Sequence, residues 1–387
     1  MSMCLGIVGG GQLGMYLCGA AQAMGLKVAV ISDSVEDGAL QCADRAFVDA
    51  LDSLPAIDRF IAVCDVVTFD KEAIPERTLL HLIKAQAQGR VMINPGADCL
   101  LMLKDKALQK TWLQEHGLPT LPFTVLSGAS ACSHEFLARK FGGPVVQKAR
   151  CGGYDGRGVQ ILRSVEAGQS LWDVPSIVEP FLPGCREIAV ITVRAHNGDI
   201  QTYPPVSMEF NSLLNSVHTV SVPAAISPAL AAAAAALAER VVILLSGVGA
   251  FAVEMFVTPA GELLINEISP RVHNSGHLTL DAFNVSQFEQ HVRAVTGMPL
   301  LPIELESPAA MMNILYDEEM RDLCPGTPRV DGGAEPHSRV YWYGKRPGSM
   351  GRKMGHINVL ADTAAEAVAR AGRTLDTLSG GASERAA

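Results

Sequence analysis

The sequence of 387 residues is poor in aromatic side chains and in charge, and both shortages exclude classes of function. Aromatic residues make up 5% of it, which is too few for a platform on which single-stranded bases stack. Acidic residues number 40 against 31 Lys and Arg, so a general nucleic-acid coat or a polybasic membrane binder is excluded. With 48% hydrophobic residues, the chain is expected to fold into about two or three globular domains.

The sequence also lacks the marks of a membrane, secreted or zinc-binding protein. Its longest apolar run, 241–257, is interrupted by Ser246, two glycines and Glu254, whereas a membrane span needs about 20 mainly apolar residues. The N-terminus has no basic segment of the kind that opens a signal peptide. The nine cysteines include no C-x-x-C pair, so we expect reduced thiols and a cytoplasmic location.

Short apolar strands separated by a helix open the chain. Strands are predicted at 4–8, 27–31 and 63–69. A helix is predicted over 12–24, with Gly25 at its C-terminal end. Strand, helix and strand at this spacing are typical of a parallel sheet with right-handed crossovers. We therefore predict a Rossmann-like domain that closes near the turn at 94–96.

The rest of the chain mixes helices with strands in a less regular order. A helical segment is predicted over 98–117, and an alanine-rich helix over 228–245. Further strands are predicted at 145–148, 177–181, 187–194, 250–257 and 262–268. A smaller strand-rich piece follows at 308–360, so the expected fold class is α/β combined with α+β.

A glycine-rich turn follows the first predicted strand. Gly9, Gly11 and Gly14 fit the pattern G-x-G-x-x-G at the start of a helix, where backbone N–H groups can receive an anion. Asp33 comes near the place of the acid that binds ribose in dinucleotide-binding folds. Many doubly wound folds carry this pattern without a dinucleotide, so we favour a tight strand-to-helix turn and keep a nicotinamide enzyme as an alternative.

Two glutamates interrupt a pair of apolar strands that are predicted to form a hairpin around the turn at 258–261. With a loop of two or four residues, Glu254 lies opposite Ile265, and Glu267 follows on the same face. Two such carboxylates can share Mg²⁺, which prefers hard oxygen ligands and nucleotide phosphates. Asn266 would point to the opposite face, and a loop of odd length would separate the two glutamates.

Three further polar segments suit an anionic substrate. Lys148 precedes a glycine-rich loop at 151–158 whose backbone can fold over phosphates, although the sequence contains no Walker A pattern. A polar run at 269–277 follows the second glutamate directly, and such crowding favours a substrate pocket. A cluster of three basic residues lies near the C-terminus of this otherwise acidic chain, at Lys345, Arg352 and Lys353.

The order of these motifs resembles the ATP-grasp superfamily and, within it, the family of N5-carboxyaminoimidazole ribonucleotide synthetases. The specific parts are the loop G-Y-D-G-R-G at 153–158 and the run P-R-V-H-N-S-G-H at 270–277. The resemblance covers about 4–360 and implies an ATP-grasp fold with an N-terminal Rossmann-like domain, a small central lid and a strand-rich C-terminal domain. The implied limits are 1–97, 98–300 with a lid at 118–183 and a large subdomain at 184–300, and 301–380.

The resemblance implies an ATP-dependent ligase that forms a C–N bond in purine biosynthesis. Such an enzyme carboxylates 5-aminoimidazole ribonucleotide with bicarbonate, through carboxyphosphate, and releases ADP and phosphate. The implied cofactors are ATP and Mg²⁺. The implied assembly is a homodimer. From the composition and the cysteine pattern, we expect a cytoplasmic protein that binds neither nucleic acid nor membranes.

The resemblance also implies roles for individual residues. Contacts with ATP fall to Lys106, Lys148, Gly153, Gly156, Gly158, Glu179, Pro180, Phe181, Leu182, Glu187, Asn266 and Glu267. The implied Mg²⁺ ligands are Glu254 and Glu267. The ribonucleotide is implied to lie near Gln12, Leu13, Glu72 and Asn274, with its phosphate on Lys345, Arg352 and Lys353. The residues around the carboxylation centre are Tyr154, Asp155, Arg157, Arg271 and His273.

Two of the departures from the family pattern fall near these residues. Lys106 stands where arginine is usual, which keeps the charge but loses the planar fork, and Asp70 stands where glutamate is usual. A formate-dependent glycinamide ribonucleotide transformylase of the same superfamily is an alternative, but its loop lacks the Tyr-Asp-Gly-Arg arrangement. An NAD-dependent dehydrogenase, the second alternative, leaves Glu254, Glu267 and the run at 270–277 without a role.

Overall fold

The computed structural model describes residues 2–153, 158–163, 170–211, 216–316, 324–346 and 350–385. The N-terminal part contains a parallel sheet in the order β3-β2-β1-β4-β5. Its strands are β1 (Cys4–Val8), β2 (Lys27–Ser32), β3 (Arg45–Val48), β4 (Val66–Phe69) and β5 (Met92–Ile93). The helices of this part are α1 (Gln12–Ala23), α2 (Gly38–Cys42), α3 (Leu54–Ile61), α4 (Glu76–Ala87) and α5 (Ala97–Leu103).

This sheet confirms the predicted Rossmann-like arrangement. Strands β1 and β4 are almost entirely apolar and buried, as expected for parallel strands covered on both faces. The helix predicted over 12–24 is α1, and Gly25 follows it with a φ of +77°. Strand β3 was not predicted, because its residues are mostly exposed and its apolar run is only three residues long.

The second sheet is antiparallel and lies in the middle of the chain, in the order β6-β9-β7-β8. Its strands are β6 (Thr124–Leu126), β7 (Val145–Ala149), β8 (Val159–Leu162) and β9 (Ser176–Pro180). Two helices accompany it, α6 (Lys106–Glu115) and α7 (His134–Phe141). A single helix was predicted over 98–117, but the structure has two helices there, α5 and α6. The Asp105 carboxylate accepts the Ala107 and Leu108 N–H groups and so starts α6 as a new helix.

The third and largest sheet runs in the order β15-β14-β10-β12-β13-β16-β19-β18-β17, with β11 paired to β10. Its first six strands are β10 (Arg186–Arg194), β11 (Ile200–Thr202), β12 (Val206–Asn211), β13 (Ser216–Val222), β14 (Gly249–Val257) and β15 (Leu263–Ser269). The remaining strands are β16 (Ala309–Leu315), β17 (Pro328–Gly332), β18 (Ser338–Tyr343) and β19 (Lys353–Leu360). Because β13 pairs with β16, the C-terminal strands continue the sheet that carries the two glutamates.

Four helices accompany this sheet in the described residues: α8 (Pro228–Leu245), α9 (Thr279–Ala282), α10 (Gln287–Thr296) and α11 (Ala364–Arg385). The alanine-rich α8 has the predicted limits, and it packs Ala234, Ala238 and Val241 into the core next to β10 and β14. By length and composition alone, α8 is long and apolar enough to cross a membrane, a test that core helices also pass.

The hairpin of β14 and β15 has a register that differs from the predicted one. Val257 pairs with Leu263, so the loop between the paired ends has an odd length. The register then shifts next to Glu254, where β15 contains one extra residue, and Glu254 lies directly opposite Glu267. The predicted pairing of Glu254 with Ile265 is wrong, but both carboxylates still face the same side, because the bulge cancels the odd loop.

A buried histidine joins the parallel sheet to the large sheet. His291 of α10 is completely buried, and its Nδ1 accepts the Ala250 N–H at 3.0 Å. Its Nε2 therefore carries the ring proton and donates to Thr68 Oγ1 at 2.7 Å. Burial disfavours the charged ring and lowers the pKa of His291 to about 3.

This histidine is expected to make folding sensitive to acid. The unfolded chain takes up a proton at His291 below about pH 6.5, whereas the folded chain does not until about pH 3. Stability is thus lost as the pH falls from 6.5 toward 3, by roughly 1.4 kcal/mol per pH unit from this group. Urea unfolding of the parent and of His291→Gln at pH 7, 6 and 5 tests this. The variant should be less stable at pH 7 and lose less stability toward pH 5, and parallel pH profiles would contradict the expectation.

Candidate active site

A cleft of about 780 Å³ opens where residues of all three sheets meet. Most of the predicted site residues line it: Gln12, Leu13, Glu72, Lys106, Lys148, Gly153, Glu179, Pro180, Phe181, Leu182, Glu187, Glu254, Asn266, Glu267, Arg271, His273, Asn274, Arg352 and Lys353. These residues come from every part of the chain between the first turn and β19, so the fold brings together what the sequence keeps apart. Four predicted residues lie outside the described part of the chain: Tyr154, Asp155, Gly156 and Arg157.

The two remaining predicted residues, Gly158 and Lys345, adjoin the cleft. Gly158 has a φ of +82°, and a Cβ atom there would lie 3.1 Å from the Gly153 Cα, so the backbones at the two ends of the glycine loop are close together. Lys345 Nζ donates to Gln12 Oε1 at 2.7 Å and to the Lys353 carbonyl at 3.1 Å. The predicted basic cluster is therefore joined to the first residue of α1.

The paired glutamates sit beside a lysine and a histidine. Lys106 Nζ lies 2.6 Å from a carboxylate oxygen of Glu267, and His273 Nε2 lies 3.3 Å from Glu254. Burial, and then the neighbouring charge of Glu267, raises the pKa of Glu254 to about 8. Burial alone would raise the pKa of Glu267 too, but the Lys106 ammonium outweighs it and holds that pKa below its usual value.

This acidic pair fits a divalent cation that is also bound by phosphates. Directly opposed carboxylates repel each other, which adds to the effect of burial on the pKa of Glu254, and a cation between them would remove that repulsion. Among the described residues, no group of three His, Cys, Asp or Glu side chains forms a metal cluster. Mg²⁺ is commonly held by one or two carboxylates together with nucleotide phosphates, so Glu254 and Glu267 fit such a site.

Lys148 reaches the same region from β7 of the four-stranded antiparallel sheet. Its Nζ donates to Asn266 Oδ1 at 2.7 Å and lies 2.7 Å from a carboxylate oxygen of Glu179. Asn266 therefore faces the cleft, and the predicted opposite orientation is wrong, because Asn266 belongs to the bulge of β15. The other oxygen of the Glu179 carboxylate contacts the buried Lys110 ammonium.

The polar run after β15 is fixed by bonds within the chain. Arg271 Nε lies 3.1 Å from a Glu72 carboxylate oxygen. The side-chain amides of Asn274 and Asn313 exchange two hydrogen bonds of 3.0 Å each. Because Asn313 lies on β16, the predicted substrate residue Asn274 is held in place by a strand of the C-terminal part.

Apolar side chains also line the cleft, near strand β9. They are Leu121, Val146, Ile161, Phe210 and Phe256. Burial raises the pKa of Glu187, on β10 beside them, to about 7. These apolar residues were not predicted as site residues, because the sequence of a strand does not distinguish an apolar side chain in the core from one that lines a cleft.

The glycine-rich turn before α1 surrounds an internal carboxylate. The Asp70 carboxylate accepts the Gly11 N–H at 2.5 Å, and a Cβ atom at Gly9 would lie 1.7 Å from its Oδ1. Burial raises the pKa of Asp70 to about 6. Asp70 thus occupies the anion position at the N-terminus of α1, which argues against a dinucleotide pyrophosphate there.

We expect Gly9→Ala to destabilise the protein by several kcal/mol, roughly 3 or more. The φ of Gly9 is +104°, and the new methyl group would overlap the Asp70 carboxylate. Gly372→Ala in α11 is the control, because a Cβ atom there meets nothing within 4 Å and alanine favours a helix by about 1 kcal/mol. Thermal and urea unfolding should therefore shift in opposite directions for the two variants, and equal shifts would refute this account of the turn.

Three protein families match successive parts of the chain. A ribonucleotide synthetase preATP-grasp domain matches residues 2–104, and an ATP-grasp domain matches residues 111–288. A phosphoribosylaminoimidazole carboxylase C-terminal domain matches residues 309–370.

Whole proteins with the same arrangement are similar over nearly the full chain. An N5-carboxyaminoimidazole ribonucleotide synthase from Synechococcus elongatus is 37% identical over 92% of this chain and 89% of its own length. One from Bacillus subtilis is 34% identical over 92% of this chain and 91% of its length. The chain belongs to the N5-carboxyaminoimidazole ribonucleotide synthase family.

Solved structures of the N5-carboxyaminoimidazole ribonucleotide synthase family share the fold. The synthetase from Thermotoga maritima has a TM-score of 0.83 and 35% identity, over 97% of this chain and 98% of that chain. A synthase from Aspergillus clavatus, in complex with ADP and 5-aminoimidazole ribonucleotide, has a TM-score of 0.84 and 27% identity over the same shares. The predicted fold class and family are therefore confirmed, and the transformylase and dehydrogenase alternatives are set aside.

Proposed function

We propose that this chain catalyses the ATP- and bicarbonate-dependent carboxylation of 5-aminoimidazole ribonucleotide to N5-carboxyaminoimidazole ribonucleotide. The observation that carries the proposal is the single cleft in which the opposed Glu254 and Glu267 meet Lys106 and Lys148. Two carboxylates for a cation and two ammonium groups for phosphates form a site for a nucleoside triphosphate. The family membership assigns that nucleotide to a ligase of purine biosynthesis.

ATP would lie between the four-stranded sheet of β6 to β9, which forms the proposed lid, and the large sheet. The apolar lining near Phe256 suits a base. The segment from Glu179 to Leu182, at the end of β9 and just after it, would hold the base through its backbone, and Glu187 would bind the ribose. Lys106, Lys148, Asn266 and Gly153 would contact the phosphates. Gly156 and Gly158 are proposed to contribute to the same phosphate site. Glu254 and Glu267 would hold Mg²⁺, which supplies positive charge to the transferring phosphoryl group when it is bound.

The ribonucleotide would lie at the other end of the cleft, beside α1. Its phosphate would be held by Lys345, Arg352 and Lys353, and its ring would lie near Gln12, Leu13, Glu72 and Asn274. A phosphate at this position would gain charge-assisted hydrogen bonds from side chains that the sheet and the turn already hold in place. The amine would then face the polar run at 271–274 and the phosphate-binding end of the ATP site.

The proposed reaction has two steps. A bicarbonate oxygen attacks the γ-phosphorus, ADP leaves, and carboxyphosphate forms. The exocyclic nitrogen of the ribonucleotide then attacks the carboxyl carbon, phosphate leaves, and the nitrogen loses a proton. Lys148 and Lys106 would offset the charge that develops on the phosphoryl oxygens, and Arg271 and His273 would surround the carboxyl group. Tyr154, Asp155 and Arg157 belong to the proposed centre as well.

The direct test is phosphate release from ATP·Mg²⁺, measured with each substrate omitted in turn. We expect release to require 5-aminoimidazole ribonucleotide and to increase with bicarbonate. Release that needs glycinamide ribonucleotide and formate instead would reassign the chain to the transformylase reaction. An NAD-dependent absorbance change with a hydroxy acid would reassign it to the dehydrogenases.

We further propose a cytoplasmic homodimer with domains at 1–97, 98–300 and 301–380. The parallel sheet lies within 1–97, which supports the first limit, whereas the largest sheet continues across the proposed limit at 300 through the pairing of β13 with β16. We place the proposed interface at a second hollow of about 740 Å³, because several large apolar side chains line it. Its lining includes Met24, Phe288, Met298, Val330 and Trp342. Sedimentation of the parent and of Val330→Glu, whose side chain is exposed, tests whether this face joins two copies.

A further inference from the structure

Lys110 is a buried lysine behind the cleft that the proposed mechanism does not use. Its side chain is 2% exposed, and lysine is almost never buried to this degree unless it is paired. It lies on α6 one turn after Lys106, on the same face of the helix. Lys106 contacts the metal-site carboxylate of Glu267, whereas Lys110 is directed to a different carboxylate, that of Glu179.

The Glu179 carboxylate lies between two ammonium groups. One oxygen contacts Lys110, and the other lies 2.7 Å from Lys148 Nζ. The Glu179 side chain is 1% exposed, while Lys148 is 12% exposed and lines the cleft. The three charges sum to one positive charge, and only Lys148 is placed to present it to a ligand.

Lys110 also joins the elements that surround the ATP site. Its Nζ donates to Thr120 Oγ1 at 2.8 Å and to the Ile265 carbonyl at 3.5 Å. Ile265 precedes the bulge of β15 that turns Asn266 toward Lys148. Glu179 lies on strand β9 of the proposed lid. The lysine thus sits where the lid, the bulge and α6 meet.

We propose that Lys110 is a positioning residue for the nucleotide-phosphate site, acting through Glu179 on Lys148. It neutralises the Glu179 carboxylate, so that the charge of Lys148 stays available to the phosphates of ATP. Without Lys110, Glu179 would pair with Lys148 alone, and the local charge would fall from one to zero. The inference rests on the proposed function, because the contact of Lys148 with phosphate is part of that function.

The test compares Lys110→Met, Glu179→Gln and the double variant. Titration calorimetry gives the affinity for ATP·Mg²⁺, and steady-state kinetics give the KM for the ribonucleotide. Lys110→Met should weaken ATP·Mg²⁺ binding about tenfold, while the KM for the ribonucleotide stays within about twofold. The double variant should recover most of the lost affinity, because it removes the carboxylate that Lys110 neutralises and again leaves one positive charge at Lys148.

Lys140→Met is the matched control, since it removes a lysine charge from the lid helix α7, where the ammonium donates to Thr124 Oγ1 at an exposed site. It should leave the affinity for ATP·Mg²⁺ unchanged. A purely structural Lys110 predicts the opposite pattern, with a lower unfolding temperature in Lys110→Met and no gain in affinity from the second substitution.

Two results would overturn the inference: parental affinity in Lys110→Met, or a double variant that binds ATP·Mg²⁺ no better than Lys110→Met. If Lys110→Met does not fold, the double variant is the deciding protein. An affinity of the double variant for ATP·Mg²⁺ more than about tenfold below that of the parent then overturns the inference. A parent protein that binds no ATP·Mg²⁺ would instead reject the proposed function, so the two failures are distinguishable.

Discussion

Replacement of Glu267 by glutamine is expected to lower ribonucleotide-dependent phosphate release by roughly a thousandfold, equivalent to about 4 kcal/mol. The variant keeps the size of the side chain but removes the charge that faces Glu254 and holds Lys106 at 2.6 Å. It would thereby weaken the proposed Mg²⁺ site and release a lysine that is proposed to contact phosphate. The measurement is initial rate at saturating ATP, with Mg²⁺ varied.

Glu262→Gln is the matched control, because Glu262 lies exposed at the turn of the same hairpin. It should retain the parental rate. Thermal unfolding of both variants separates loss of the site from loss of the fold. A Glu267→Gln protein that is folded and retains more than about a tenth of the parental rate would argue against the metal role of this pair.

The second large effect is expected for Lys345→Met, which should raise the KM for the ribonucleotide by roughly 10- to 100-fold. A charged hydrogen bond to a bound group contributes about 1.5–3 kcal/mol, and Lys345 also fixes Gln12 at 2.7 Å. Affinity for ATP·Mg²⁺ should not change, because the two ends of the cleft bind different substrates. Steady-state kinetics with each substrate varied in turn provide the measurement.

Lys27→Met controls for the loss of one positive charge. Lys27 begins β2, pairs with Asp44 at 2.8 Å and has a side chain that is 63% exposed. The carboxyl ends of the parallel strands face the cleft, so Lys27 lies at the far end of that sheet. An equal rise in the KM for ATP and for the ribonucleotide in Lys345→Met would contradict a phosphate role confined to the second substrate.

Local sequence was sufficient for the elements that depend on local interactions. The alanine-rich α8 was predicted with its observed limits, because helix propensity and the Ser227 cap act within one turn. Three of the five strands of the parallel sheet, β1, β2 and β4, were predicted from their short apolar runs. The break between α5 and α6 was missed, although Asp105 is a good capping residue, because leucine, lysine and glutamine favour helix on both sides of it.

Strand register could not be read from the sequence. The hairpin loop has an odd length, which alone would separate Glu254 from Glu267. The extra residue in β15 restores the pairing and turns Asn266 toward Lys148. A bulge depends on which backbone groups of two strands are hydrogen-bonded, and neither strand encodes that choice alone.

The sequence by itself determined the family, the parallel sheet at the N-terminus and the chemical types of the site residues, because motif spacing and apolar periodicity are local properties of the chain. Only the tertiary structure decided which charges meet. The Asp70 carboxylate fills the glycine-rich turn, and Lys110 of α6 pairs with Glu179 of β9. Contacts of this kind join residues far apart in the chain, and their energies depend on distance and on burial, which are set when the sheets pack together.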